Sequence, residues 1–165
     1  MNYSAAGEGV LKVGGFHATS EFENFSNGST ERGLSGFYAL VDHELLSAEA
    51  DALGMSLFLR GAITPDTDLA TVGASIEAGV RLSELLFRDD ALGIGVVYTD
   101  FSDDYLTATR ESGDDVTSSE TVFELTYQVL VTDWFAVQPD LQYILDPHLS
   151  RDNALVVGVR AEVLF

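Results

Sequence analysis

The sequence predicts an all-β fold: an antiparallel transmembrane β-barrel wall, with eight strands in this chain. Three observations carry that expectation. Apolar residues recur every second position over long stretches, the intervening positions hold charged and small residues, and the connections alternate between long polar loops and very short turns.

The last segment shows the period most plainly. Leu155, Val157, Val159, Ala161, Val163 and Phe165 fall on one phase, and Val156, Gly158, Arg160, Glu162 and Leu164 on the other. On a helix, Arg160 and Glu162 would fall within the apolar stripe. On a strand they lie opposite the valines, so the strand is preferred. The same pattern returns in Val72, Ala74, Ile76, Ala78, Val80 and Leu82 against Glu77 and Arg81. It returns again in Phe123, Leu125, Tyr127, Val129 and Val131 against Glu124 and Gln128, and in Phe135, Val137, Leu141, Tyr143 and Leu145 against Gln138, Asp140 and Gln142.

A full pass places strands near 10–17, 35–46, 53–64, 71–83, 91–100, 120–131, 134–145 and 153–165. Most have the ten or so residues of a tilted strand crossing a bilayer. The loops at 18–34, 65–70, 101–119 and 146–152 alternate with the turns at 47–52, 84–90 and 132–133. With the chain ending in the periplasm, the longer loops fall outside, as in bacterial barrels.

Alternation alone does not say whether the apolar phase faces a protein core or lipid. Three features favour lipid. The polar phase is rich in small residues (Gly54, Ser56, Gly73, Ser75, Gly79, Gly93, Gly95, Gly158), which suit a crowded, curved interior. Aromatic residues gather near strand ends (Phe16, Phe37, Phe87, Tyr98, Phe101, Tyr105, Phe123, Trp134, Phe135, Tyr143), as in an interfacial girdle. The chain finishes on Phe165 after two-residue steps of apolar residues, an ending that resembles the insertion signal of outer-membrane barrels.

Composition closes off other classes. Of 165 residues, 27 are Asp or Glu and 8 are Lys or Arg, a formal charge of −19 that disfavours nucleic acid as a partner. A mean hydropathy of +0.14 is too apolar for a disordered polyanion. There is no Cys, so thiol catalysis and thiolate metal sites are out. No run approaches the ~20 apolar residues of a spanning helix, and the first residues lack the basic and apolar regions of a secretory signal.

Several segments carry a family likeness: GFYALVDHEL (36–45), LGIGVVYTDFSDDY (92–105), ETVFELTYQ (120–128), WFAVQPDLQYI (134–144) and NALVVGVR (153–160). From about residue 10 onward the chain resembles the C-terminal portion of OprB-type carbohydrate-selective porins. The most specific piece is ETVxELxYQ followed across a short turn by WxxxQPDLQYI. The resemblance implies a 16-stranded outer-membrane barrel passing carbohydrates and other small solutes by diffusion, of which residues 1–165 would be the later half. It also implies outer-membrane lipid as a partner, no cofactor, and a monomer or homo-oligomer. A pore-narrowing loop of such porins would lie in the earlier half, outside this chain.

In that arrangement the inward phase supplies Asp42, Glu44, Arg60, Glu77, Arg81, Glu124, Gln128, Gln138, Asp140, Gln142, Arg160 and Glu162 as channel-lining residues. Carboxylates and guanidinium groups on facing strands set up a transverse field and offer planar hydrogen-bonding partners to sugar hydroxyls. The alternative is that these charges only pair with one another and stiffen the wall. Arg60, Arg81 and Arg160 are the foremost functional candidates.

The acidic stretch Asp103, Asp104, Glu111, Asp114, Asp115 and Glu120, opposed by Arg110, lacks the ordered spacing of a calcium loop and reads as a solvated loop that disfavours anions at a channel mouth. His17, His43 and His148 have no metal-triad spacing, and no nucleophile elbow accompanies them, so the chain does not read as an enzyme. Asn24 and Asn27 match glycosylation acceptors formally, which is incidental in a bacterial setting. The competing architectures are a general or ion-permeable porin, a closed eight-stranded structural barrel whose first and last strands pair, and a soluble barrel or sandwich with a dry core.

Overall fold

A computed structural model describes residues 2–4, 7–47, 52–148 and 152–163. Among the described residues nine strands follow one another: β1 (Asn2–Ser4), β2 (Glu8–Glu23), β3 (Thr30–Leu46), β4 (Gly54–Ile63), β5 (Val72–Ser83), β6 (Ala91–Phe101), β7 (Ser119–Thr132), β8 (Phe135–Leu145) and β9 (Ala154–Val163). One helix, α1 (Asp103–Glu111), interrupts the series between β6 and β7. All eight expected strands are present, preceded by the three-residue β1. The terminal Phe165, and with it the insertion-signal expectation, lies outside the described residues.

The sheet is a single meander in which each strand pairs antiparallel with its sequence neighbours, in the order β1 to β9. β2 is hydrogen-bonded to β1 on one side and β3 on the other. β1 covers only Glu8 to Val10 of β2, and β9 is paired with β8 and not with β2, so the closed eight-stranded barrel is not formed among the described residues. The sheet is open, with β1 and β9 at its edges.

Register settles which residues share a face, because directly paired residues point the same way. One row runs Leu11, Val41, Leu59, Ala78, Val96, Phe123, Tyr143, Leu155 across β2 to β9. The next runs Lys12, Leu40, Arg60, Glu77, Val97, Val122, Ile144, Ala154. The two-residue period of each strand thus adds coherently into one apolar face and one mixed, charged face.

The apolar face covers no core. Val13, Ile76, Ile94, Phe123, Val157 and Val159 are all exposed, Val157 at 72%. The buried apolar residues number seven among those described, and most sit at strand ends or in loops. Total accessible surface is 10526 Å², whereas a compact soluble monomer of this length exposes about 8,000 Å². A greasy face left open on this scale is incompatible with a soluble sandwich and is what a lipid-contacting wall requires.

Two loops differ from expectation. The loop expected at 18–34 is a hairpin: β2 and β3 run 16 and 17 residues and leave only 24–29 as a turn. Both exceed the ~9–11 residues that cross a bilayer, so the hairpin projects beyond it. Its outer part carries polar residues, which mask the two-residue signal, and is held by Arg32 donating to Glu21 Oε1 at 2.7 Å. The acidic stretch expected as a solvated loop instead folds into α1. Ser102 stands at the N-cap position with its hydroxyl donated to the Ala70 carbonyl and not to the helix, and Asp103 and Asp104 occupy the first turn, where carboxylates favour the helix dipole. Leu106, 2% exposed, packs on Phe101 and Val116.

Candidate functional site: the charged face and its rims

A trough of about 530 Å³ lies on the charged face. Along β7 and β8 the residues of this face (Val122, Glu124, Gln142, Ile144) are half-buried where their apolar-face neighbours (Phe123, Leu125, Leu141, Tyr143) are exposed, which makes the charged face the concave side. Among its lining residues are Asp42, Arg60, Glu77, Arg81, Glu124, Gln128 and Gln138, seven of the twelve expected channel-lining residues. Glu44, Asp140, Gln142, Arg160 and Glu162 share that face by register but lie outside the trough. Glu162 and Gln128 border a separate hollow nearer the short-turn end.

Part of this polar set is paired within the wall. Arg60 Nη1 stands 3.4 Å from Glu77 Oε2 across β4 and β5, and Arg160 Nη2 stands 3.6 Å from Glu162 Oε2. Gln142 donates to Glu124 at 3.2 Å and Gln138 to Thr126 at 2.7 Å. The Arg60–Glu77 pair is half exposed, and such pairs contribute at most about 1 kcal/mol, so the guanidinium can exchange its partner for a passing hydroxyl at little cost. Arg81 enters the trough without an ion pair or hydrogen bond among the described residues. The strict wall-stiffening reading therefore fits Arg60 and Arg160 better than Arg81.

Reading by phase missed several residues on this face. Lys12 and the rings of Phe16, Tyr38 and Phe58 all share it, beside Ser56, which the polar phase already places there. Phe16, expected in the outer girdle, is paired with Gly36 on the charged side. Phe101 and Tyr105, also expected in the girdle, belong to a loop cluster. The signal that could have found the inward rings is their pairing with glycines: Phe16 with Gly36, Tyr38 with Gly14 and Phe58 with Gly79. A large side chain leaning over a neighbouring strand requires a residue without Cβ there.

The long-loop end forms a packed crown. Asn24, 3% exposed, donates through Nδ2 to Glu31 and to Asp68, both at 2.8 Å. Ser26 and Thr67 both donate to the Asp104 carboxylate at the start of α1, at 2.8 and 3.1 Å. His148 stacks on Phe101 with ring centroids 3.9 Å apart, and its Nε2 lies 2.7 Å from Tyr105 Oη. Four separate connections are thus tied together at one rim, and the carboxylates at their ends leave it strongly acidic.

The opposite rim is held by Asp90 in the 84–90 turn. Its carboxylate accepts hydrogen bonds from the amides of Leu85, Leu86 and Phe87 and from the Tyr127 hydroxyl. Burial pushes this carboxyl up, but the Tyr127 hydroxyl and the three amides together outweigh it and hold the pKa at about 2, below the ordinary 3.8. Leu86, Phe87 and Trp134 stay exposed at this rim, where an interfacial belt is expected.

No group of three or more His, Cys, Asp or Glu is arranged to hold a metal among the described residues. No described helix is long and apolar enough to cross a membrane, which leaves spanning strands untouched.

An antiparallel meander that is greasy on its convex face and charged on its concave face is the wall of a transmembrane β-barrel of the porin class. The chain belongs to the carbohydrate-selective porin, OprB family, whose model matches residues 2–165. Porins of this kind are channels and not enzymes. Over 44 residues the chain is 50% identical to Porin B of Pseudomonas aeruginosa, covering 26% of this chain and 10% of that protein. Its fold is like that of the high-pH structure of Pseudomonas putida OprB, with a TM-score of 0.80, 22% sequence identity, and coverage of 98% of this chain and 46% of that one. The chain therefore spans about half the length of the solved relative.

Proposed function

We propose that this chain forms the later half of an outer-membrane barrel through which carbohydrates and other small solutes diffuse passively, with no catalytic step. The observation that carries the reading is the sorting of one sheet into a lipid-compatible face and a hydrophilic, concave face that holds Asp42, Arg60, Glu77, Arg81 and Glu124 around one trough. An earlier half would pair with β1 and β9 and close the pore, since unpaired strand edges are not tolerated in hydrocarbon. The crown then faces outward and the short turns face the periplasm, with outer-membrane lipid against the apolar face.

The twelve expected channel-lining residues act as wall contacts during passage, exchanging weak hydrogen bonds so that a sugar can both enter and leave. The experiment is solute-driven swelling of liposomes containing the intact porin. Swelling rates that rank sugars by more than their size support a carbohydrate channel. Robust ion conductance that sugars leave unaltered points to an ion-permeable porin, and no flux of either kind overturns the transport reading.

A further inference from the structure

We infer that the concave wall carries a monosaccharide subsite between the Tyr38 ring and the Arg60–Glu77 pair, with Phe16 as its approach from the crown. The inference rests on the porin reading and adds to it a site and a ligand shape: the flat face of a pyranose.

Two inward rings lie across neighbouring strands and do not simply point into the lumen. A Cβ on Gly14 would stand 2.6 Å from Tyr38 Cζ and 2.9 Å from Cε1, and a Cβ on Gly36 would stand 2.5 Å from Phe16 Cζ. Each ring therefore rests on a glycine and turns its other face to the lumen, with Tyr38 44% and Phe16 51% exposed. A third ring, Phe58, rests on Gly79 in the same way, but the Arg60 guanidinium overhangs it at 4.9 Å from the centroid. Phe58 thus acts as a positioning residue that fixes Arg60, while Tyr38 and Phe16 remain open platforms.

A hollow of about 180 Å³ lies beside Tyr38 and Arg60, bordered also by Leu40, Ala62, Ser75 and Glu77, with Phe16 and Phe58 outside it. It offers one aromatic face, a planar donor fork, a hydroxyl and a carboxylate. A pyranose has the matching surfaces: axial C–H groups gathered on one face, which suit an aromatic ring, and equatorial hydroxyls around the rim, which suit guanidinium and carboxylate partners. An open-chain hexitol has the same hydroxyls but no such face. Because the ring rests on backbone, its orientation is set before the sugar arrives, and little ordering cost falls on binding.

The test uses the intact porin in planar bilayers and liposomes, with glucose as the pyranose and sorbitol as the hexitol. Tyr38→Leu keeps an aliphatic group over Gly14 but removes the aromatic face, and Tyr38→Phe keeps the ring. Tyr38→Leu is expected to weaken glucose-dependent current block about fivefold, with sorbitol flux and KCl conductance unchanged and Tyr38→Phe like the parent. Should Tyr38→Leu insert poorly, judged by heat-modifiable gel mobility, Tyr38→Met is read in its place. The inference is overturned if glucose block is unaltered, if glucose and sorbitol fall together, or if Tyr38→Phe loses as much as Tyr38→Leu. A parent channel without solute or ion flux instead removes the porin reading beneath it.

Discussion

Val96 and Val97 are adjacent residues of the same type near the middle of β6, and they face opposite ways. Val96 is paired with Ala78 and Phe123 on the apolar face, and Val97 with Glu77 and Val122 on the charged face. β6 spans 11 residues, so both stand near the depth of the bilayer midplane. An arginine on the lipid face at that depth costs about 2–4 kcal/mol, whereas lumenal substitutions mainly tune the pore. Val97→Arg also gains a cross-strand carboxylate in Glu77, worth about 0.2–1 kcal/mol. Val96→Arg should therefore destabilise the folded barrel by about 2–4 kcal/mol more than Val97→Arg, or roughly 30- to 700-fold in the folding equilibrium at 1.4 kcal/mol per tenfold. Urea titrations of the intact porin refolded into large unilamellar vesicles, followed by heat-modifiable gel mobility, measure the difference. Equal costs, or a larger cost for Val97→Arg, would refute the lipid-facing assignment of Val96; a dry protein core would give the same order, so folding of the parent without vesicles or detergent would overturn the assignment as well.

Other outcomes follow from the two rims and the wall. Asp90 has its pKa lowered from 3.8 to about 2. Its carboxylate therefore contributes stability that is complete above about pH 4 and disappears as pH falls through 2; unfolding of Asp90→Asn should be less steeply acid-dependent between those limits, and parallel acid profiles would contradict this. Leu106→Ala removes the buried anchor of α1 and should cost about 2–5 kcal/mol locally. Hydrogen exchange is expected to show lost protection over 103–111 with β2 to β9 unchanged, so loss across the strands would count against a separately folded crown. Replacing Arg60 and Arg81 together by Gln should shift the zero-current potential toward cation preference, more strongly at 0.1 M salt, where screening extends ~10 Å, than at 1 M, where it extends ~3 Å. An unchanged potential would place both side chains off the conduction path.

The strands were legible because their signal is local. A period of two, as in Val72 to Leu82, follows from the geometry of each residue against the next and needs no knowledge of partners. The twelve polar residues expected on one face do share it, since each strand's phase is set by its own sequence. What the two-residue rule could not supply was lateral position. Phe16 sits near a strand end and fits the girdle pattern, yet its pairing with Gly36 puts it on the charged side. The outer part of the β2–β3 hairpin was read as loop because, beyond the bilayer, neither face needs to be apolar and the alternation stops.

By itself, the sequence determined the all-β class, the strand count within one short element, and the two faces of the wall, because backbone geometry ties each side chain's direction to its neighbours in the chain. Only the tertiary structure decided that the apolar face covers no core, that the sheet stays open at β1 and β9, and that four distant connections knit into one crown. It alone brought Tyr38, Arg60 and Glu77 around one hollow. Those outcomes depend on register and on contacts between residues far apart in the chain, where no local period carries information.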